Sequence, residues 1–112
     1  MQIASTEVNG VTLIRVEGRM DAPAAPEAED AFREVIDAGA TRVVIDLSGV
    51  EYISSGGLRV IIMLMKSLEK ARGRLVICNP SPFVSEVFEI THLSRRIPIY
   101  PNQEEALTAA AT

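Results

Sequence analysis

The run Val43-Val44-Ile45-Asp46-Leu47 is nearly all apolar and β-branched, the pattern of a central strand buried on both faces. It leads into Tyr52-Ile53-Ser54-Ser55-Gly56-Gly57-Leu58-Arg59, where two hydroxyls and two glycines stand between one apolar run and the next. The residues from about Ser55 to Ala71 then carry a helical pattern that closes at Gly73. A buried strand handing over to a helix through four small residues is one half of a crossover unit, and the rest of the chain repeats that alternation.

Before this unit, Thr6-Glu7-Val8 and Val11 to Val16 flank Asn9-Gly10, the dipeptide favoured in a two-residue hairpin turn. Gly18-Arg19-Met20-Asp21 ends the second strand. From Pro26 to Ala38, the residues Ala28, Phe32, Val35 and Ile36 recur at helical spacing, and Gly39 is a suitable stop. After it, Arg74 to Cys78 reads as another buried strand, the core strand itself being placed at Arg42 to Leu47. Ser81-Pro82 supplies a cap and a first-turn proline for a helix carrying Val84, Val87 and Phe88. Ile97 to Tyr100 is a short strand whose proline argues for a sheet edge. Asn102 followed by Glu105 makes a capping-box pattern for a last helix. The order is ββαβαβαβα, an α/β fold with a mixed, mostly parallel sheet, helices packed against it and an antiparallel edge from the hairpin. With 112 residues and no internal repeat or long linker, residues 1–112 are taken as one domain.

Several functions are excluded or disfavoured by what the chain lacks. A net charge of -4 without a basic run argues against nucleic acid or anionic membrane as partner. No apolar stretch approaches the roughly 20 residues of a membrane span, and the N-terminus has no basic start or apolar segment of a signal peptide. Cys78 is alone, which fits a reducing, cytoplasmic compartment. One Cys, one His (His92, near a helix end) and no carboxylate cluster give no metal set and no nucleophile–base pair. The acidic group Glu27-Glu29-Asp30 reads as the solvated face of the first helix. The glycine loop matches neither GxxxxGK[ST] nor GxGxxG, so a nucleotide cradle is weakly supported. No catalysis and no cofactor are expected.

At the handover, Ser54 or Ser55 can cap the helix, or a hydroxyl can be displayed for modification; local sequence leaves both open. At about 100° per residue, Leu58, Ile61, Met65 and Leu68 face one way and are expected to meet the sheet. Ser55, Arg59, Ile62 and Lys66 line the other side, bordered by Met63 and Lys70. That strip reads either as a protein-binding stripe or as an ordinary solvated face.

GRMD at Gly18 to Asp21, VVIDLSGVEYISSGGLRVI from Val43 to Ile61, LVIC from Leu75, SPFVSEVFEITHL from Ser81 and the C-terminal EEAL together resemble the STAS family. Within it, the likeness is to the bacterial anti-sigma factor antagonists. The resemblance implies a protein whose unmodified form binds an anti-sigma factor with serine kinase activity and frees a sigma factor. It implies that the kinase then phosphorylates a serine in the loop and that a serine phosphatase restores it. By that pattern the modified residue is the third before the leucine, which is Ser55, with Ser54 as a rival acceptor. Asp21 matches an acidic residue near the site, although by position alone it could equally cap the first helix. Ser54 stands where many members carry Asp, and Gly56 where others carry Ser or Ala; Gly57 completes the loop. The same fold leaves one alternative, a STAS module regulating a transporter or lipid-trafficking complex without phosphorylation, and the glycine loop leaves another of a different class, a small ligand- or nucleotide-binding domain.

Overall fold

The computed structural model describes residues 1–112. Strand β1 (Gln2–Val8) and strand β2 (Val11–Met20) form an antiparallel hairpin in which Val8 lies opposite Val11. Asn9 and Gly10 both take positive φ, 50° and 84°, as the expected two-residue turn requires. Helix α1 (Ala25–Asp37) follows, then β3 (Arg42–Ile53), α2 (Ser55–Lys70), β4 (Arg74–Cys78), α3 (Pro82–Ile90), a 3-10 turn (Leu93–Arg95), β5 (Ile99–Tyr100) and α4 (Gln103–Ala111). The five strands lie in chain order, and every pair after the hairpin is parallel. The ββαβαβαβα order and the mixed sheet are therefore as expected.

Each parallel connection steps one strand in the same direction, and such crossovers are right-handed. α1, α2 and α3 consequently stack on one face of the sheet. They share a core with Ile14, Val16, Ile45, Leu47 and Ile77, in which Phe32 and Phe88 are fully buried. α4 turns back beneath the other face, covering Val11, Leu13, Val44, Val76 and Cys78 with Ala106 and Ala110. The core strand is thus buried on both faces, as its composition requires.

α4 is anchored at each end. The Asn102 side chain accepts from the Glu105 backbone N–H at 2.8 Å and donates to the Glu105 carboxylate at 2.6 Å. At the C-terminal end, guanidinium groups from the starts of β3 and β4 meet free helix carbonyls, Arg42 on Ala111 and Arg74 on Ala109. Cations there also suit the negative end of the helix dipole.

Three expectations need correction. β3 runs to Ile53 instead of stopping at Leu47. Ser48-Gly49 looks like turn chemistry, but β3 takes up an extra residue opposite Arg15–Glu17 and again opposite Gly18–Arg19, and with those two register shifts the strands stay paired to their ends. The last strand comprises Ile99 and Tyr100 alone; Ile97 is buried just before it. The sheet-facing side of α2 is Gly57, Val60, Ile61, Leu64, Met65 and Leu68, with Leu58 only half-buried at its margin. Gly57 turns that face inward because it packs directly on the Met20 carbonyl, leaving Leu58 beside the sheet and not on it.

Candidate functional site

The carboxyl ends of β2 and β3 meet the start of α2. Ser54 has extended backbone angles and caps the helix: the Gly57 N–H donates to Ser54 Oγ at 3.2 Å. The same hydroxyl donates to the Met20 carbonyl at 3.1 Å, and the Ser54 N–H reaches that carbonyl at 2.8 Å. Ser54 therefore satisfies an otherwise orphaned helix donor and fastens the loop to the neighbouring strand. Ser55 is the first helical residue, and it is exposed.

The two glycines are not equivalent. A Cβ on Gly57 would lie 2.5 Å from the Met20 carbonyl oxygen, so only glycine allows the helix to seat here. On Gly56 the nearest atoms, Ala25 Cβ, Ser54 Oγ and Ala22 Cα, would be at 3.6 to 3.7 Å, ordinary contact distance. Asp21 lies in the turn between β2 and α1, where its Oδ1 accepts from the Ala24 N–H at 3.1 Å. It closes that turn, while the helix itself begins from Ala24. The placement brings Asp21, Ser54, Ser55, Gly56 and Gly57 to one end of the molecule.

On α2, Arg59 and Lys66 are exposed, and Ile62 and Met63 are half-buried, resting on the margin of the core. Together with Ser55 they line the side of α2 opposite its buried face. A groove of about 480 Å³ lies elsewhere, between the hairpin and the end of α1 and lined in part by Ile3, Thr12, Val35 and Gly39. None of its lining residues comes from the handover. No helix is long and apolar enough to cross a membrane, and no three His, Cys, Asp or Glu side chains converge on one point.

Two arrangements were not visible in the sequence. Arg19, Tyr52 and Phe83 stack at the same end: the Arg19 guanidinium lies 4.3 Å from the Tyr52 ring centroid, and the Tyr52 and Phe83 rings are 5.6 Å apart at 18°. The signal was available in part, since Phe83 sits in the first turn of α3 on the side away from Val84 and Phe88. Asp46 forms the second. Its Oδ1 accepts from the Ser48 N–H at 2.9 Å and the Asn79 amide at 3.3 Å, and its Oδ2 accepts from the Gln103 amide at 2.9 Å. Burial alone would raise its pKa, but the bonds from Ser48, Gln103 and Asn79 outweigh that and hold the carboxyl below the usual range. Beside it, burial and then the Asp46 charge push the Cys78 thiol up to about 12.

Residues 2–106 match the family described as STAS domain. A Bordetella bronchiseptica protein, provisionally named as the anti-sigma factor antagonist BtrV, is 34% identical over 100% of this chain and 97% of its own length. The crystal structure of an anti-sigma factor antagonist from Mycobacterium paratuberculosis superposes with a TM-score of 0.91 at 30% identity, over 99% of this chain and 94% of that one. The anti-sigma factor antagonist SpoIIAA in its unphosphorylated form gives 0.83 at 25% identity, over 98% and 96%.

Proposed function

This chain belongs to the STAS-domain family, and we propose that it acts as an anti-sigma factor antagonist switched by phosphorylation of Ser55. The unmodified protein binds an anti-sigma factor that is itself a serine kinase, and so releases a sigma factor. The kinase modifies Ser55, binding is lost, and a serine phosphatase resets the cycle. The chain acts in the cytoplasm by binding and performs no catalysis of its own.

One observation carries the reading: of two adjacent serines, Ser54 is spent on capping α2 and gripping Met20, while Ser55 is exposed in the first helical turn. An acceptor must reach a kinase active site without unfolding its own loop, and only Ser55 meets that condition. The start of a helix also tolerates added negative charge. Arg59, Ile62, Met63 and Lys66 continue from Ser55 along α2 and serve as the binding strip. The names borne by the Bordetella and Mycobacterium relatives and by SpoIIAA support the class of partner.

The test is incubation of the purified chain with its cognate anti-sigma factor and ATP, followed by peptide mass spectrometry. Phosphate on Ser55 is expected. Label on Ser54 with none on Ser55 rejects the assignment, and phosphoryl transfer by the chain alone rejects the non-catalytic role.

A further inference from the structure

We propose that Arg19, Tyr52 and Phe83 form a second contact patch for the same partner protein that reads Ser55, one that presents an apolar pocket rimmed by a carboxylate. This rests on the function proposed above and extends its interface from α2 across the ends of β2, β3 and α3. The chain has three phenylalanines; Phe32 and Phe88 are fully buried, whereas Phe83 is 47% exposed. Leaving that much aromatic surface in water is unfavourable, yet the ring is held in place by its stack on Tyr52. The Arg19 guanidinium lies against the Tyr52 ring as well, so three planar groups are ordered before any partner arrives. Ordered aromatic and Arg side chains are the residue types that dominate interface affinity, because little entropy remains to be lost on binding.

Arg19 points to the chemistry of the pocket rim. Its side chain is 62% exposed and forms only a loose ion pair with Asp21, whose Oδ2 lies 3.8 Å from its Nε, beyond hydrogen-bond reach. Its donors are therefore available to a carboxylate on the partner. Arg19 reaches towards Asp21 at 3.8 Å, and the turn that Asp21 opens packs on the start of α2, where a Cβ on Gly56 would lie 3.7 Å from Ala22 Cα. A protein surface seated over Ser55 thus meets the patch as part of one continuous end of the molecule.

The experiment is titration calorimetry of the full chain against its purified cognate anti-sigma factor, using Phe83→Ala, Arg19→Glu, Ser55→Asp and the control Ile90→Ser. Ile90 is 68% exposed at the far end of α3 and shares the helix without sharing the patch. Each variant is first shown to be folded by circular dichroism and a thermal melt. Arg19→Glu removes no core packing and carries the test alone should Phe83→Ala not fold. Both patch variants are expected to bind about tenfold weaker or worse, with Ile90→Ser unchanged. Binding of Phe83→Ala and Arg19→Glu at parental affinity, while Ser55→Asp loses it, overturns the patch and leaves the proposed function standing. Failure of the parent chain to bind at all overturns both.

Discussion

The Ser54 hydroxyl lies 3.1 Å from the Met20 carbonyl, joining the loop that starts α2 to the end of the adjacent parallel strand. Because that hydroxyl also caps α2, Ser54→Ala is expected to cost about 1 kcal/mol, within the 0.5–2 kcal/mol typical of lost caps. Ser54→Asp keeps a capping oxygen and suits the helix dipole but cannot donate to Met20, so its loss is expected to be smaller than that of alanine. Urea denaturation of both variants checks the order; an alanine variant as stable as the parent contradicts the role.

The adjacent glycines are expected to answer alanine in opposite directions. Gly57→Ala drives a methyl to 2.5 Å from a backbone oxygen, and helix and strand must part by several tenths of an ångström. A loss of about 2 kcal/mol or more follows, in the range of overpacking. Gly56→Ala meets only ordinary contacts and removes backbone freedom from the unfolded chain, for a gain of roughly 0.5 kcal/mol. Thermal melts of the pair provide the comparison, and equal effects rule out the seating described for Gly57.

A phosphate on Ser55 adds roughly -1.5 to -2 charges at neutral pH. Buried in an interface without a partner cation, it is expected to cost on the order of 3–5 kcal/mol, a loss of roughly a hundred- to a few-thousand-fold in affinity. Arg59, four residues on, offers only an exposed local pair worth at most about 1 kcal/mol. Calorimetry with Ser55→Asp, Arg59→Glu and Met63→Asp measures this strip. Undiminished binding by all three places the interface elsewhere.

Asp46 sets a dependence on pH. Its folded pKa is depressed, so the stability it contributes is fully present above its unfolded value, about 3.9, and is lost as pH falls through the folded value below that. Stability is therefore expected to fall on the acid side of about pH 4, part of that slope belonging to Asp46. Asp46→Asn turns an amide donor towards Ser48, Asn79 or Gln103, all donors themselves, at an expected cost of about 1–3 kcal/mol. Acid titration of both proteins by circular dichroism reads out the slope; identical curves remove Asp46 as a source of it.

Cys78 is fully buried with its thiol raised to about 12, so it is held as the unreactive thiol. At pH 8 a thiol-specific disulfide reagent is expected to modify it only at the rate at which the protein opens. Adding urea to the midpoint of unfolding is expected to accelerate the reaction strongly. Immediate labelling of the folded chain refutes the burial.

The order of elements was legible because it depends on local chemistry. Asn9-Gly10 specifies its turn, Ser81-Pro82 and Asn102 specify their helix starts, and the β-branched run from Val43 can only be interior. The roles of Ser54 and Ser55 were not legible, since both are good caps and the deciding atom, the Met20 carbonyl, belongs to another strand. Leu58 was misplaced for the same reason: ideal helical spacing fixes relative angles, whereas the contact of Gly57 with Met20 fixes which angle points inward. β3 looked shorter than it is because Ser48-Gly49 carries turn residues, and the strand stays paired to β2 only by taking up an extra residue of its own at two places. Asp46 gave no sign of its partners, as Asn79 and Gln103 are brought to it by the sheet and by α4. The stack of Tyr52 on Phe83 likewise joins segments that only the fold brings together.

The sequential order of the strands bears on how the chain can be made. Each strand from β2 onward finds its neighbour already synthesised, so no pairing has to wait for a segment still inside the ribosome. α4 is the exception in kind, since it adds a lid to a sheet whose strands are all in place. Until α4 docks, Val11, Leu13, Val44, Val76 and Cys78 face water on an open sheet. During synthesis, the interval before α4 docks is when this protein is most exposed to aggregation and most in need of a chaperone's cover.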